Sequence, residues 1–264
     1  MALLGGYYCQ ANAYLRNGLI ARRPMGIYCN ADGSGMHGSA MVARHIAISE
    51  CMERWAYHET LNSAQRTKFG FDVDCSSNGM AAFPGLSVHP AREAARFEAF
   101  ERSSIFNWWE GHIDGIVTDT MWPGISAILF GPFVGVVAVI LFTRSQWGFY
   151  AYGHAAADSF QNACRHAVLE LFRHESAIRS WTINGLTPPQ DRFERRASFF
   201  STDQGFALFE DRLGTKMGCS NVYPRIICDS ELRGPWSSYA TVWRFLFPPP
   251  SDRFTSDDEK YFFW

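Results

Sequence analysis

The longest stretch without a charge runs from Ile125 to Phe142 and reads ISAILFGPFVGVVAVILF. Its length is that of a short membrane span, but Gly131-Pro132 interrupts it and β-branched residues crowd its second half. Two buried strands, over 125–130 and 133–142, account for the pattern better. Phe149–Tyr152 is expected to extend the same sheet until Gly153 breaks it. Helices flank this apolar centre. One is predicted from about Ser39, its cap, to His58, and a second from Pro90, a favoured first-turn residue, to about Trp109. A third starts at Asp158 as N-cap and continues to Arg173 or beyond. Pro188-Pro189 precede a fourth near Gln190–Phe200, and Tyr239–Phe247 reads as a strand halted by Pro248-Pro249-Pro250.

Shorter signals fill the remainder. After Pro24, Met25–Cys29 reads as a strand leading into a Gly-rich turn, Asp32–Gly38. Phe71–Val73 looks extended, and Cys75-Ser-Ser-Asn-Gly79 is a turn. Helices interleaved with strands predict an α+β (mixed α/β) domain in which a sheet packs against helices.

Composition narrows the class. With 264 residues, 47% hydrophobic and 19% charged, the chain is not a disordered one and has ample length for a core. A net charge of −2 and a pI near 6.4 exclude a strongly basic nucleic-acid-binding surface as the default. No Ser/Gly-rich linker or charge block divides the chain, so the expected organisation is an N-terminal extension over 1–24, one domain over 25–250, and a tail over 251–264. The first residues, MALLGGYYCQANAYLRNG, show no basic leader followed by a sustained apolar run, and a cytoplasmic location is expected. The 7 cysteines include no C-x-x-C spacing and read as reduced thiols. Aromatic residues at 16% fit either a tightly packed core or a surface with a partner. Core packing is favoured for Trp108-Trp109; Tyr261-Phe-Phe-Trp264 fits a docking tail or a strand packed on the domain.

The chemistry rests on a repeated string. Glu50-Cys-Met-Glu53-Arg54 falls on the first predicted helix and Glu98-Ala-Phe-Glu101-Arg102 on the second. At a spacing of three, both carboxylates of each pair share a helix face, with the arginine four residues beyond the first. Alone, such a string is common on solvated helices, where its ion pairs contribute little. Here Ile46, Ile48 and Met52 surround the first pair, and Ala94, Phe97 and Phe100 the second. Acids embedded in apolar surroundings are costly unless a cation relieves them. Oxygen-only donors point to Mg²⁺ together with nucleotide phosphates. The third helix adds Glu170, with His166 one turn earlier and Arg173 three residues later. His166 is placed to reach a phosphate or to pack within its helix. Ser34 and His37 lie in the Gly-rich turn, whose backbone N–H groups suit a phosphate as well as a plain loop. Arg54 and Arg102 are available to phosphates or to their own glutamates, and His154 is either a ligand contact or a core histidine.

The order of these motifs resembles the YcaO family. Members carry a Gly-rich turn and an A-x-x-E-x-x-E-R-type helix, matched here by Gly33-Ser-Gly35 and Ala47–Trp55. A Ser-Asn-Gly turn and second glutamate helix follow, matched by Ser77-Asn-Gly-Met-Ala-Ala82 and Glu93–Arg102. A glycine-introduced helix with a further Glu is matched by Gly153 and Ala163–Arg173, and the late strand-to-proline segment by Val242–Pro248. The chain departs from the pattern in five places: Ser34 stands where members often have Lys, Ala82–Pro90 replaces an Ala-Gly-Asn turn, Arg173 stands where Gln is frequent, the first two glutamate helices lie closer in sequence than is usual, and residues follow the prolines.

The resemblance implies a YcaO-like domain using ATP and Mg²⁺ to phosphorylate a peptide backbone amide. A nucleophile then converts the activated amide to an azoline, amidine or thioamide in a ribosomally made peptide. It implies Glu50, Glu53, Glu98, Glu101 and Glu170 as Mg²⁺ and phosphate-site residues, and Ser34, Ser77, Asn78, Arg54, Arg102 and His166 as nucleotide contacts. It further implies a precursor peptide as partner, a separate leader-peptide-binding protein, and a homodimer as the family's oligomeric expectation, with neither nucleic acid nor membrane. The departures keep open a non-catalytic scaffold that binds a peptide or a partner protein.

Overall fold

The computed structural model describes residues 2–3, 6–16, 31–85, 87–133, 135–184, 191–215 and 225–264. The strand expected over Met25–Cys29 and the pair Pro188-Pro189 lie outside these. In chain order the strands are β1 (Ala2–Leu3), β2 (Gly6–Tyr7), β3 (Cys9–Ala13), β4 (Gly33–His37), β5 (Met80–Pro84), β6 (Ile116–Asp119), β7 (Ser126–Phe133), β8 (Val136–Arg144), β9 (Tyr150–Ala157), β10 (Cys228–Leu232) and β11 (Ala240–Leu246). The helices are α1 (Ala40–Leu61), α2 (Val88–Trp109), α3 (Phe160–Asn184), α4 (Arg192–Phe200) and α5 (Asp203–Gly214). The α+β class expected from the interleaving is the class observed. Two compact units make up the chain, the first drawn from Met1–Met25, Cys29–Ala99 and Pro224–Pro248, the second from Gly26–Tyr28, Phe100–Tyr223 and Pro249–Trp264.

The first unit holds a three-stranded antiparallel sheet in the order β10-β11-β5 and the pairs β3–β4 and β1–β2. Its core gathers Trp55, Phe69, Phe71, Met80, Leu232, Trp236, Val242 and Leu246. The stretch expected as a Gly-rich turn is strand β4, paired in register with β3 from Ala13↔Gly33 to Cys9↔His37. Helix α1 crosses it at contact distance: a Cβ on Gly33 would overlap the Ala47 carbonyl oxygen, and one on Gly35 that of Ala43. Both glycines are there because a helix backbone occupies the space a side chain would need, and Ala43, Ala47 and Cys51 are buried along the same contact. Ser39 takes the N-cap position of α1, without a side-chain hydrogen bond. Phe71–Val73, expected as extended, instead continues a turn that starts at Gly70, whose φ of 71° admits glycine readily.

The second unit is built on the antiparallel meander β6-β7-β8-β9. Ile125–Phe142 lies mostly in the β7–β8 pair, as the apolar run implied, but the chain reverses after Phe133 and not at Gly131-Pro132. A register irregularity between Phe130 and Phe133 absorbs the proline, which has no N–H to donate. Gly153 does not end β9; it sits inside it, opposite Leu141. A Cβ there would overlap the Ala167 carbonyl oxygen and the Leu171 amide of α3, so glycine serves packing, as in β4. Helix α3 begins one residue later than Asp158 implied. Ser159 accepts from the Asn162 and Ala163 amides, while the Asp158 carboxylate takes the Ser159 hydroxyl and the Asn162 side chain.

Residues 251–264 are folded into this unit. Phe254, Tyr261, Phe262 and Phe263 are buried, and the Phe262 ring lies 4.9 Å from Phe209, 5.0 Å from Phe200 and 5.2 Å from Tyr152. Arg196 of α4, fully buried, donates to the carbonyls of Arg253, Phe254, Ser256, Asp258 and Phe263. One planar guanidinium thereby satisfies the backbone of an irregular segment that has no ladder of its own. Among the described residues no helix is long and apolar enough to cross a membrane.

Candidate functional site

In the first unit the glutamate motif on α1 meets β4. The Glu50 carboxylate accepts the Ser34 amide at 2.7 Å and pairs with Arg54 one turn later. Arg54 also donates to the carbonyls of Ala31 at 3.2 Å and Asp32 at 3.0 Å, and the Asp32 carboxylate accepts the Leu15 amide. Of the residues expected to contact a nucleotide, Ser34 is buried and Arg54 half-buried. Both are brought to Glu50 by the glycine-mediated contact of strand and helix. Glu53 and Glu98 are half-buried. Ser77 and Asn78 belong to a turn whose side chains bond among themselves: Asn78, 7% exposed, donates to Asp74 at 3.0 Å.

In the second unit Glu101 is buried and accepts from His154 at 2.8 Å, with Arg102 at 3.4 Å from the same oxygen. The Arg102 guanidinium stands over the Phe263 ring, 5.0 Å from its centroid. Burial by itself raises a carboxyl's pKa. Here the Arg102 charge, the charge and hydrogen bond of His154, and the Ala156 amide outweigh it and hold the Glu101 carboxyl below its ordinary value. Glu101 is thus an anion already supplied with donors. With Nδ1 directed at Glu101, the His154 ring is fixed in orientation. Glu170 and His166 are exposed on α3, and Glu170 pairs with Arg173 at 2.8 Å.

The structure therefore gathers Ser34, Glu50 and Arg54 at one place in the first unit, and Glu101 and Arg102 at one place in the second. The sequence named His154 without its carboxylate partner and gave no role to Arg244. His154 had a visible signal, a polar residue after the glycine of β9, but nothing tied it to a carboxylate 53 positions away. Arg244 sits inside an apolar strand and donates to the carbonyls of Asp74 and Ser76; a lone arginine within Val242–Phe247 was its only trace. The glutamates of the two motifs offer oxygen donors. Such a set fits a hard cation of the Mg²⁺ kind, which keeps several waters and takes one or two carboxylates together with nucleotide phosphates. Among the described residues no group of three or more His, Cys, Asp or Glu side chains is placed to hold a metal ion.

Comparison with known proteins rests on fold. No protein-family model matches the sequence, and no curated protein does. The solved structure of the E. coli microcin synthetase McbBCD complex with pro-MccB17 bound matches with a TM-score of 0.51 at 16% identity, covering 72% of this chain and 58% of the matched one. A second structure, of the E. coli microcin synthetase McbBCD complex, matches with a TM-score of 0.50 at 16% identity, covering 74% of this chain and 60% of the matched one. That complex contains a YcaO cyclodehydratase. The fold of this chain is like that of a chain in this complex. This chain spans about three fifths of the length of the chain it matches, 58% in one structure and 60% in the other. At such identity the likeness is one of fold, and the α+β class it shares with these neighbours is the one expected from the sequence.

Proposed function

We propose that the chain is a YcaO-type enzyme that uses ATP and Mg²⁺ to phosphorylate a backbone amide of a ribosomally made peptide. The activated carbon is then open to attack, giving an azoline, amidine or thioamide. The observation that carries this reading is the retention, on a fold like that of a chain in the microcin synthetase complex, of both E-x-x-E-R strings on the helices that follow β4 and β5. Glu50, Glu53, Glu98, Glu101 and Glu170 would hold Mg²⁺ and, through it, phosphate. The cation would supply charge neutralisation at the transferred phosphoryl group. The chain's own contributions are positioning and charge. Glu50 ties Ser34 to Arg54, Arg102 stands beside Glu101, and Ser77 and Asn78 belong to a turn fixed by its own side chains.

Isothermal titration with ATP and Mg²⁺ tests the reading. Binding by the wild-type chain, with nucleotide turnover lost in Glu50→Gln and Glu101→Gln while both remain folded, is the expected result. Turnover at the wild-type rate in either variant refutes the metal assignment. A precursor peptide, a leader-peptide-binding partner protein, a homodimer and a cytoplasmic location belong to the same proposal. The second reading, a scaffold that binds a peptide or protein without chemistry, is favoured by the pairing of Glu50 with Arg54 and of Glu101 with His154. ATP hydrolysis above that of a glutamate variant counts against it.

A further inference from the structure

The turn from Asp74 to Gly79 is held from two sides. From within, the Asp74 carboxylate, 2% exposed, accepts the Ser76 amide at 2.8 Å, the Ser76 hydroxyl at 2.6 Å and the Asn78 side chain at 3.0 Å. From the sheet, Arg244 reaches in from β11, where it lies opposite Met80 of β5. Its Nη1 donates to the Ser76 carbonyl at 2.9 Å and its Nη2 to the Asp74 carbonyl at 2.8 Å. The guanidinium lies 3.7 Å from the Phe71 ring centroid. At the far end Gly79 has φ 67°, and its carbonyl accepts the Phe245 amide at 2.7 Å.

Arg244 has no exposed surface, and its Nε has no hydrogen-bond partner. A cation in the middle of a sheet core, bonded to neutral carbonyls with one donor unmet, costs more than an apolar side chain of similar volume. Core packing therefore does not explain it. Its two engaged donors both grip the backbone of a single turn. One guanidinium thus fixes the backbone of the turn bearing Ser77 and Asn78 from the sheet side.

We infer that Arg244 is a positioning residue for the nucleotide: it holds the Ser77–Asn78–Gly79 turn in the one backbone arrangement that meets the phosphates. The inference rests on the ATP reading above. A turn held in its bound conformation before the ligand arrives loses less freedom on binding, and this is the source of the expected gain in affinity.

The test is isothermal titration of the full chain with ATP and Mg²⁺, alongside thermal melting. Lysine in Arg244→Lys keeps the charge but cannot span both carbonyls. Asp74→Asn loosens the same turn without emptying the core. Leu232→Ala removes a buried side chain of the same core that makes none of the turn's hydrogen bonds, and so controls for lost stability. Arg244→Lys and Asp74→Asn should each bind ATP about tenfold more weakly at unchanged stoichiometry. Leu232→Ala should bind as the wild type does, despite a lower melting temperature. Wild-type affinity in Arg244→Lys, or an equal loss in Leu232→Ala, overturns the inference and leaves the ATP reading standing. A wild-type chain that binds no ATP overturns both. Should Arg244→Lys not fold, Asp74→Asn decides on the same two outcomes.

Discussion

Acid should destabilise the second unit through one buried histidine. His174 on α3 is 2% exposed; its Nδ1 accepts the Tyr152 amide at 2.9 Å, and its ring lies 5.0 Å from that of Trp264. A proton on Nδ1 would abolish that acceptor, and a charged ring would have no water around it. Burial pushes the imidazole from its ordinary 6.5 down to about 3, against a smaller upward effect of the Ala197 backbone and with a further downward one from His154. Because the folded pKa lies below the unfolded one, the unfolded chain binds the proton first. The contribution of neutral His174 is complete above pH 6.5 and is lost as pH falls toward 3. Between pH 7.5 and 4.5 the loss is about 3 kcal/mol, and about 4 kcal/mol by pH 3. In His174→Asn an amide oxygen still accepts the Tyr152 N–H, but nothing titrates. Urea unfolding followed by near-ultraviolet circular dichroism at pH 7.5 and 4.5 reads the difference. The wild type should lose about 3 kcal/mol more than the variant over that interval. Acid effects of Glu101 are common to both chains and cancel. Equal losses in the two chains would show that His174 is not buried as a neutral acceptor, and the reasoning would fail.

Gly153→Ala should cost about 2–3 kcal/mol, since the new methyl group meets the backbone of α3 at Ala167 and Leu171; a melting temperature equal to the wild type's would contradict the packing account. Arg196→Met should cost about 3 kcal/mol or more by orphaning buried carbonyls, and limited proteolysis should then cleave within 251–264 before elsewhere, a site protected in the wild type. Glu50→Gln keeps an acceptor for the Ser34 amide and loses only a half-exposed ion pair, so its stability should stay within about 1 kcal/mol of the wild type. A larger drop in its urea midpoint would assign Glu50 a mainly structural role.

Local pattern and long-range packing divide the account of this chain between them. Helices α1, α2 and α3, the β7–β8 pair and the register of both glutamate strings were legible from residue order. Periodicity, proline and capping chemistry act within a few residues, and three positions of helix determine which side chains share a face. Glycine was the weak point for the opposite reason. Gly33, Gly35 and Gly153 permit a turn or the close approach of a helix equally well, and the choice lies with Ala43, Ala47 and Ala167, which no local rule connects to them. The partners of the charged groups were likewise out of reach. Glu101 meets His154 and Arg244 meets Asp74 across 53 and 170 residues of chain. An ion's partner is set by which elements pack together, a property of the folded molecule that residue order constrains only through its sum.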